Sequence, residues 1–326
     1  MKIIVTHTSP DMDAITSVWL IRRFLQGWED AQIQFVPAGE RIGNIKYQIS
    51  KIKNTIERIG GDEVIHVDTG LGPLDHHQTA SDKVCAASLT WEYVKNQKFN
   101  PSTSGRTVWC IPSLRVKSQK SQKEKDREEA VSRMVKVVVD TDHFKEVFWE
   151  DATSDYHEFS VGAVLDGLKL AKPNRDEYYV DFISECLDAI LHEFENRIWA
   201  EREIRERGIE FTTRFGKGMG FETINDSVLK LAQKMGYVVV VRKDPRKGYV
   251  RVKARPSQYQ ISNIKNQKGD EIDLTLAYEK LRKMDPTATW FLHIGKKMLL
   301  NGSVKNPKMR PTRLGLGEII KVLEKI

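Results

Sequence analysis

The chain has 326 residues, 40% of them hydrophobic and 30% charged, which suits a globular protein of about two domains and argues against disorder along its whole length. No segment approaches roughly 20 consecutive apolar residues, so neither a transmembrane helix nor a membrane partner is expected, and the early acids of the N-terminus do not fit a signal peptide. Three scattered cysteines, Cys85, Cys110 and Cys186, exclude a disulfide framework and a zinc-thiolate site, which makes the cytoplasm the expected location.

Residues 2–6 are a short β-branched run that reads as a buried parallel strand. An amphipathic helix follows at 13–26, with Ile15, Val18, Trp19, Ile21 and Leu25 on one face. Strand patterns return at 32–36 and 63–67, with a helical stretch at 45–59 between them. Strands alternating with helices predict an α/β domain with a mainly parallel sheet. Residues 100–130 are turn-rich and then polar, which predicts an exposed insertion leading into a helix from 125. The apolar run 135–139 fits the end of that helix or a strand.

Residues 176–206 keep a helical period without Gly or Pro, enough for a helix of roughly 45 Å. It predicts a connector between a domain at 1–175 and a smaller α/β domain at 207–326. In the latter, helices are expected near 226–235, 273–283 and 315–325, and strands near 237–242, 248–254 and 289–294. Charge divides in the same place. The net charge is +7, but residues 1–206 hold 27 Lys and Arg against 34 Asp and Glu, whereas 207–326 hold 25 against 11. An acidic half suits metal binding, and a basic half suits phosphate binding.

Four clusters carry chemistry. His7, Asp11 and Asp13 lie between the first strand and the first helix, where ligands bind in an open parallel sheet. Asp68 follows the strand at 63–67. Asp75, His76 and His77 come seven residues later, and Asp140, Asp142 and His143 follow the run 135–139. An Asp in a turn or helix cap is routine. Acids and imidazoles recurring at successive element ends instead suggest mixed N/O ligation of Mn²⁺ or a similar divalent ion. Two ions ~3.5–4 Å apart suit in-line attack at phosphorus, and Asp68 is placed to bridge them.

These residues resemble the DHH phosphoesterase superfamily, which includes RecJ exonucleases, nanoRNases, cyclic-dinucleotide phosphodiesterases and manganese inorganic pyrophosphatases. His7 to Ser17 matches H-x-x-P-D-x-D-A-x-x-S, Asp75-His76-His77 matches D-H-H, and a lone Asp68 lies between them. The resemblance spans roughly residues 1–170 and extends weakly beyond. It implies two Mn²⁺ or Mg²⁺ ions, one held by His7, Asp11 and Asp68, the other by Asp13, Asp68, His76 and Asp140. Asp142 is the alternative to Asp140, which fits the family's D-T-x-x-F stretch better. His77 would contact phosphate, and Asp75 would orient a neighbouring histidine. The short spacing from Asp68 to Asp75 is similar to that of the melanocyte-proliferating-gene exonucleases. In the basic half, the resemblance implies substrate contacts from Lys253, Arg255 and Ser257, and from His293, Lys296, Asn301 and Gly302, although the family's G-G-G-H string is absent.

The expected function is hydrolysis of phosphodiesters or phosphomonoesters, with short RNA or DNA or a nucleotide as the substrate. Inorganic pyrophosphatase is a competing enzyme. A nucleic-acid-binding protein with a non-catalytic metal site is the competing non-enzyme.

Overall fold

The computed structural model describes residues 1–43, 54–98, 121–256, 271–303 and 305–326. The chain divides into two compact units, Met1–Phe194 and Glu195–Ile326. Both are mixed α/β. Among the described residues, no helix is long and apolar enough to cross a membrane.

The first unit opens with β1 (Lys2–His7), α1 (Met12–Phe24) and β2 (Gln32–Val36), followed by β3 (Glu57–Ile59) and β4 (Asp62–His66). Its sheet runs β2-β1-β4-β3. β1 pairs in parallel with both β2 and β4, and β3 is an antiparallel edge. The predicted parallel core is therefore present. The predicted helix at 45–59 is corrected at its end, because 57–59 form β3; residues 44–53 lie outside the described residues. Gly60 and Gly61, with φ of +60° and +94°, close the β3–β4 hairpin in the left-handed conformation that such two-residue turns require.

Helices α2 (Ala86–Lys98), α3 (Gln122–Asp142) and α4 (Val161–Ala171) complete the unit with the first part of α5 (Asp176–Arg207). α1 is buried from Asp13 to Ile21. Phe24 meets Trp19 and Trp91 edge-on, with centroids 5.4 Å and 5.6 Å apart, which locks α1 against α2. α3 begins in a capping box between Ser121 and Glu124, so the helix expected from 125 starts three residues earlier, at Gln122. Residues 100–120 of the predicted insertion lie outside the described residues. The 135–139 run is helical. Cys85 and Cys186 are free thiols, and Cys110 is outside the described residues.

The division between units falls inside α5. The second unit adds β5 (Ile209–Thr213), β6 (Gly216–Glu222), α6 (Ser227–Lys234), β7 (Val239–Lys243), β8 (Val250–Ala254), α7 (Thr275–Met284), β9 (Trp290–Leu292), β10 (Met298–Asn301) and α8 (Leu316–Leu323). Its sheet runs β5-β6-β7-β8-β10-β9, parallel only between β6 and β7. Leu274, which precedes α7, joins Leu281 of α7 and Ile319 and Leu323 of α8 in a core with Val239, Val241 and Val252. β5, the Gly-rich β6 and β10 carry no strand pattern clear enough to have been expected.

Candidate metal centre

β1 delivers His7 at its carboxyl end, and Asp11 caps α1, its Oδ1 accepting the N–H groups of Asp13 and Ala14. That cap leaves Asp11 Oδ2 to face His7 Nε2 at 3.9 Å. His7 Nδ1 donates to the Thr8 carbonyl at 2.9 Å, so Nε2 is the nitrogen presented to the site. Asp13 is buried, and its two oxygens accept the N–H groups of Ala86 and Ala87 at the start of α2, both at 2.7 Å. The positive end of α2 thus steadies a carboxylate that the sequence pattern alone would assign to α1 capping.

β4 ends at His66, and Asp68 follows with φ of +52°. This left-handed turn is one that Asp tolerates better than most residues. It aims the two Asp68 oxygens at different partners. Oδ2 lies 3.2 Å from His7 Nε2. Oδ1 lies 3.6 Å from His76 Nε2. The turn onward to His77 is knitted by Asp75, which accepts from Leu71 N at 2.7 Å and His77 N at 3.0 Å. Asp75 Oδ1 also accepts from His77 Nδ1 at 2.7 Å, which orients that ring.

His76 Nε2 sits 3.7 Å from Asp13 Oδ2, 3.6 Å from Asp68 Oδ1 and 3.6 Å from Asp142 Oδ2. The structure brings Asp142, not Asp140, to this point. Asp140 instead pairs with Lys136 at 2.7 Å along α3 and faces Lys145 at 4.0 Å. The reason is helical phase. Val131, Val135 and Val138 face the core, and position 142 continues that stripe, whereas 140 falls two residues out of step with Val138. His143, part of the fourth cluster but not of the implied ligand set, also lies here: its ring meets His76 at 5.8 Å, and its Nε2 reaches the Val84 carbonyl at 2.9 Å.

Three triads gather ligand-type atoms within 4.8 Å of one another: His7 with Asp11 and Asp68, Asp68 with His76 and His77, and His76 with Asp142 and His143. Spacings near 3.6 Å are close to those between donors sharing one cation, which are roughly 3–3.5 Å for bonds near 2.1 Å. Asp68 Oδ1 and Asp142 Oδ2 are buried without a hydrogen-bond partner. Buried orphan carboxylate oxygens are unfavourable unless something positive meets them. Burial raises Asp13 well above the ordinary carboxylate range, and Asp68 raises it further. Burial likewise raises Asp68 and Asp142. For His7, burial pulls the imidazole down, but the bond to Asp68, the Thr8 carbonyl and nearby Asp11 carry it up to about 9. Crowded carboxylates that resist joint ionisation, next to an imidazole drawn toward its cation, are a donor set that fits a divalent ion. Asp142→Asn is expected to weaken Mn²⁺ binding at least about tenfold and Asp140→Asn to leave it unchanged, read by Mn²⁺ titration.

A cavity of about 550 Å³ opens over this cluster, lined by His7, Asp11, Asp68, His76, His77 and Asp142 with Ala38, Gly39, Leu71 and Asp75. No protein-family model matches this chain. No curated protein matches it either. The side chains themselves therefore carry the functional reading.

The expected substrate residues of the second unit separate into two groups. Lys253 and exposed Arg255 end β8, and the Ala254 N–H donates to the Lys297 carbonyl at 2.8 Å, beside the β9–β10 turn that holds exposed His293 and Lys296. Lys296 pairs with Asp273 at 2.9 Å. Asn301 and Gly302 lie at the other end of β10, where Asn301 is opposite Val250. Asn301 is fully buried, and its amide is spent on the carbonyls of Thr289 and Arg310 and the N–H of Thr312. Gly302, with φ of +80°, packs against the Tyr249 ring, where a Cβ would meet Cδ1 at 2.1 Å. Both are packing residues rather than exposed substrate contacts. Ser257 lies outside the described residues.

Proposed function

We propose that the chain is a divalent-metal-dependent phosphoesterase of the DHH type, acting on phosphodiesters such as short oligonucleotides. The observation that carries this reading is Asp68, whose two oxygens serve two separate His/Asp groups, with Oδ1 buried and unpartnered. His7, Asp11 and Asp68 would hold one Mn²⁺ or Mg²⁺, and Asp13, Asp68, His76 and Asp142 a second. Such ions would polarise a phosphoryl oxygen and acidify an attacking water. His77 lines the cavity. Burial lowers its pKa, but the Asp75 bond and surrounding carboxylates outweigh burial and raise it. It is thereby favoured as a proton-bearing donor to a phosphoryl oxygen.

Inorganic pyrophosphate is disfavoured by the cavity wall. Among the described residues, no lysine or arginine lines it. A small polyanion needs such compensation more than a singly charged diester does. The basic second unit, with 25 Lys and Arg against 11 acids over 207–326, supplies a field that attracts polyanionic chains.

The test is a hydrolysis panel with Mn²⁺: pyrophosphate, a model phosphodiester, a cyclic dinucleotide, and short RNA and DNA. The Asp68→Ala, His76→Ala double variant runs beside it. Turnover of a diester that disappears in the variant is expected. Metal bound with no turnover of any ester would overturn the enzyme and favour a nucleic-acid-binding role.

A further inference from the structure

Beneath the turn that carries Asp68 lies a buried ionic group that the proposed chemistry does not use. Arg41 has only 6% of its side chain exposed and is paired with Glu57 of β3 through Nη2. Its Nη1 donates to the Gly70 carbonyl at 2.8 Å. His66, the last residue of β4, closes the group. Its Nε2 accepts the Ile42 N–H at 3.3 Å, and its Nδ1 lies 3.0 Å from Arg41 Nη2 and 3.2 Å from Glu57 Oε1. A second tie joins the same two segments, from Thr69 Oγ1 to the Glu40 carbonyl at 2.9 Å.

The turn is shaped around this guanidinium. A Cβ on Gly70 would lie 2.2 Å from Arg41 Cγ, and a Cβ on Gly72 would lie 2.8 Å from Nη1. Gly70 needs its φ of +73° in any case, but Gly72 has no such requirement, so close approach of Arg41 is what its lack of a side chain serves. Burying an arginine is unfavourable unless its charge and fork are both answered. Glu57 answers the charge. One branch of the fork is spent on a carbonyl two residues beyond Asp68.

We infer that Arg41, braced by Glu57 and His66, is a positioning residue that fixes the Asp68 turn so that one carboxylate faces both His/Asp groups at once. This rests on the metal-centre reading above. Without the brace, the left-handed Asp68 turn loses its Gly70 tether and keeps its internal ties, the Thr69 bond and the His7 contact. Its carboxylate can then serve one group or the other rather than both. A misplacement of about 1 Å at such a point lowers turnover by on the order of 10²-fold.

The experiment is a Mn²⁺ titration of the full chain followed by electron paramagnetic resonance, with turnover on the model diester in parallel. Wild type is expected to give the exchange-coupled signal of two carboxylate-bridged Mn²⁺ ions. Arg41→Ala is expected to give uncoupled six-line signals and a kcat about 10²-fold lower at little-changed KM. Arg41→Lys should not rescue it, since one ammonium cannot span Gly70 and Glu57. Glu57→Gln, which keeps the shape and removes only the charge, should weaken the coupling and tests the same point should Arg41→Ala fail to fold. Arg58→Ala, on the exposed face of β3, should match wild type. A coupled signal and unchanged kcat in folded Arg41→Ala, or in Glu57→Gln where Arg41→Ala does not fold, would overturn the inference. Absence of any coupled signal in wild type would overturn the paired-metal reading and this inference with it.

Discussion

Asp68→Asn is expected to remove Mn²⁺-dependent hydrolysis, lowering kcat/KM by at least about 10³-fold, while the protein stays folded. Asparagine has the same shape and is, with Asp, the side chain best suited to a φ of +52°. The substitution therefore separates charge from backbone strain, which alanine would not. The metal-free protein gives a second, opposite readout. Burial, joined by the nearby Asp11, raises Asp68 above its ordinary value even though His7 draws it down. An acid whose pKa is raised on folding opposes folding once pH exceeds its unfolded value. At neutral pH without metal, the Asn variant should melt at or above wild type. With Mn²⁺ at 100 times its Kd, wild type should gain about 2.7 kcal/mol per site. The variant should gain far less. A variant that melts lower without metal and keeps its Mn²⁺ shift would contradict the role of Asp68.

The residues of the His/Asp cluster were legible where chemistry is local in sequence. His7 to Asp13 and Asp75 to His77 each occupy one turn, so their residue types declare themselves without knowledge of packing. Asp140 was preferred over its alternative Asp142 because choosing between two acids two residues apart requires the helical phase of α3, and the run 135–139 had left helix and strand open; the structure brings Asp142 to the cluster. Once Val131, Val135 and Val138 are known to share a buried stripe, Asp142 follows. The β3–β4 hairpin was hidden by a helical reading of 45–59, although Gly60-Gly61 is a hairpin signal. Arg41 and Glu57 carry no sequence signal. They are 16 residues apart and acquire meaning only through the fold, as do Gly70 and Gly72 above them. The second unit was read less well. Its strand β6 is Gly-rich, and burial, which separates a phosphate contact from a core amide, is not written in residue type.

Asn301 shows that difference as a stability effect. Its side chain is fully buried, donating to the Thr289 carbonyl at 2.9 Å and the Arg310 carbonyl at 3.1 Å, and accepting from Thr312 N at 2.6 Å. Thr312 in turn donates through Oγ1 to Asp285 Oδ2 at 2.8 Å, so one amide ties β10 to the segment leading into α8. Asn301→Ala strands the Thr289 carbonyl and the Thr312 N–H, while the Arg310 carbonyl keeps the Thr289 N–H at 2.9 Å. Each of the two unmet groups costs about 1–3 kcal/mol, and partial relaxation brings the expected total to about 2–4 kcal/mol. For a unit of this size, that lowers its melting temperature by roughly 10–20 °C. Asn301→Asp should be no better, because it sets carboxylate oxygen against the same two carbonyls. His293→Ala, exposed at the β9–β10 turn, should stay within about 0.5 kcal/mol of wild type. Calorimetry of the three variants decides between a tie and a substrate contact. A binding role for Asn301 predicts the reverse pattern, with an unchanged melt and a raised KM, and that result would return the residue to the substrate.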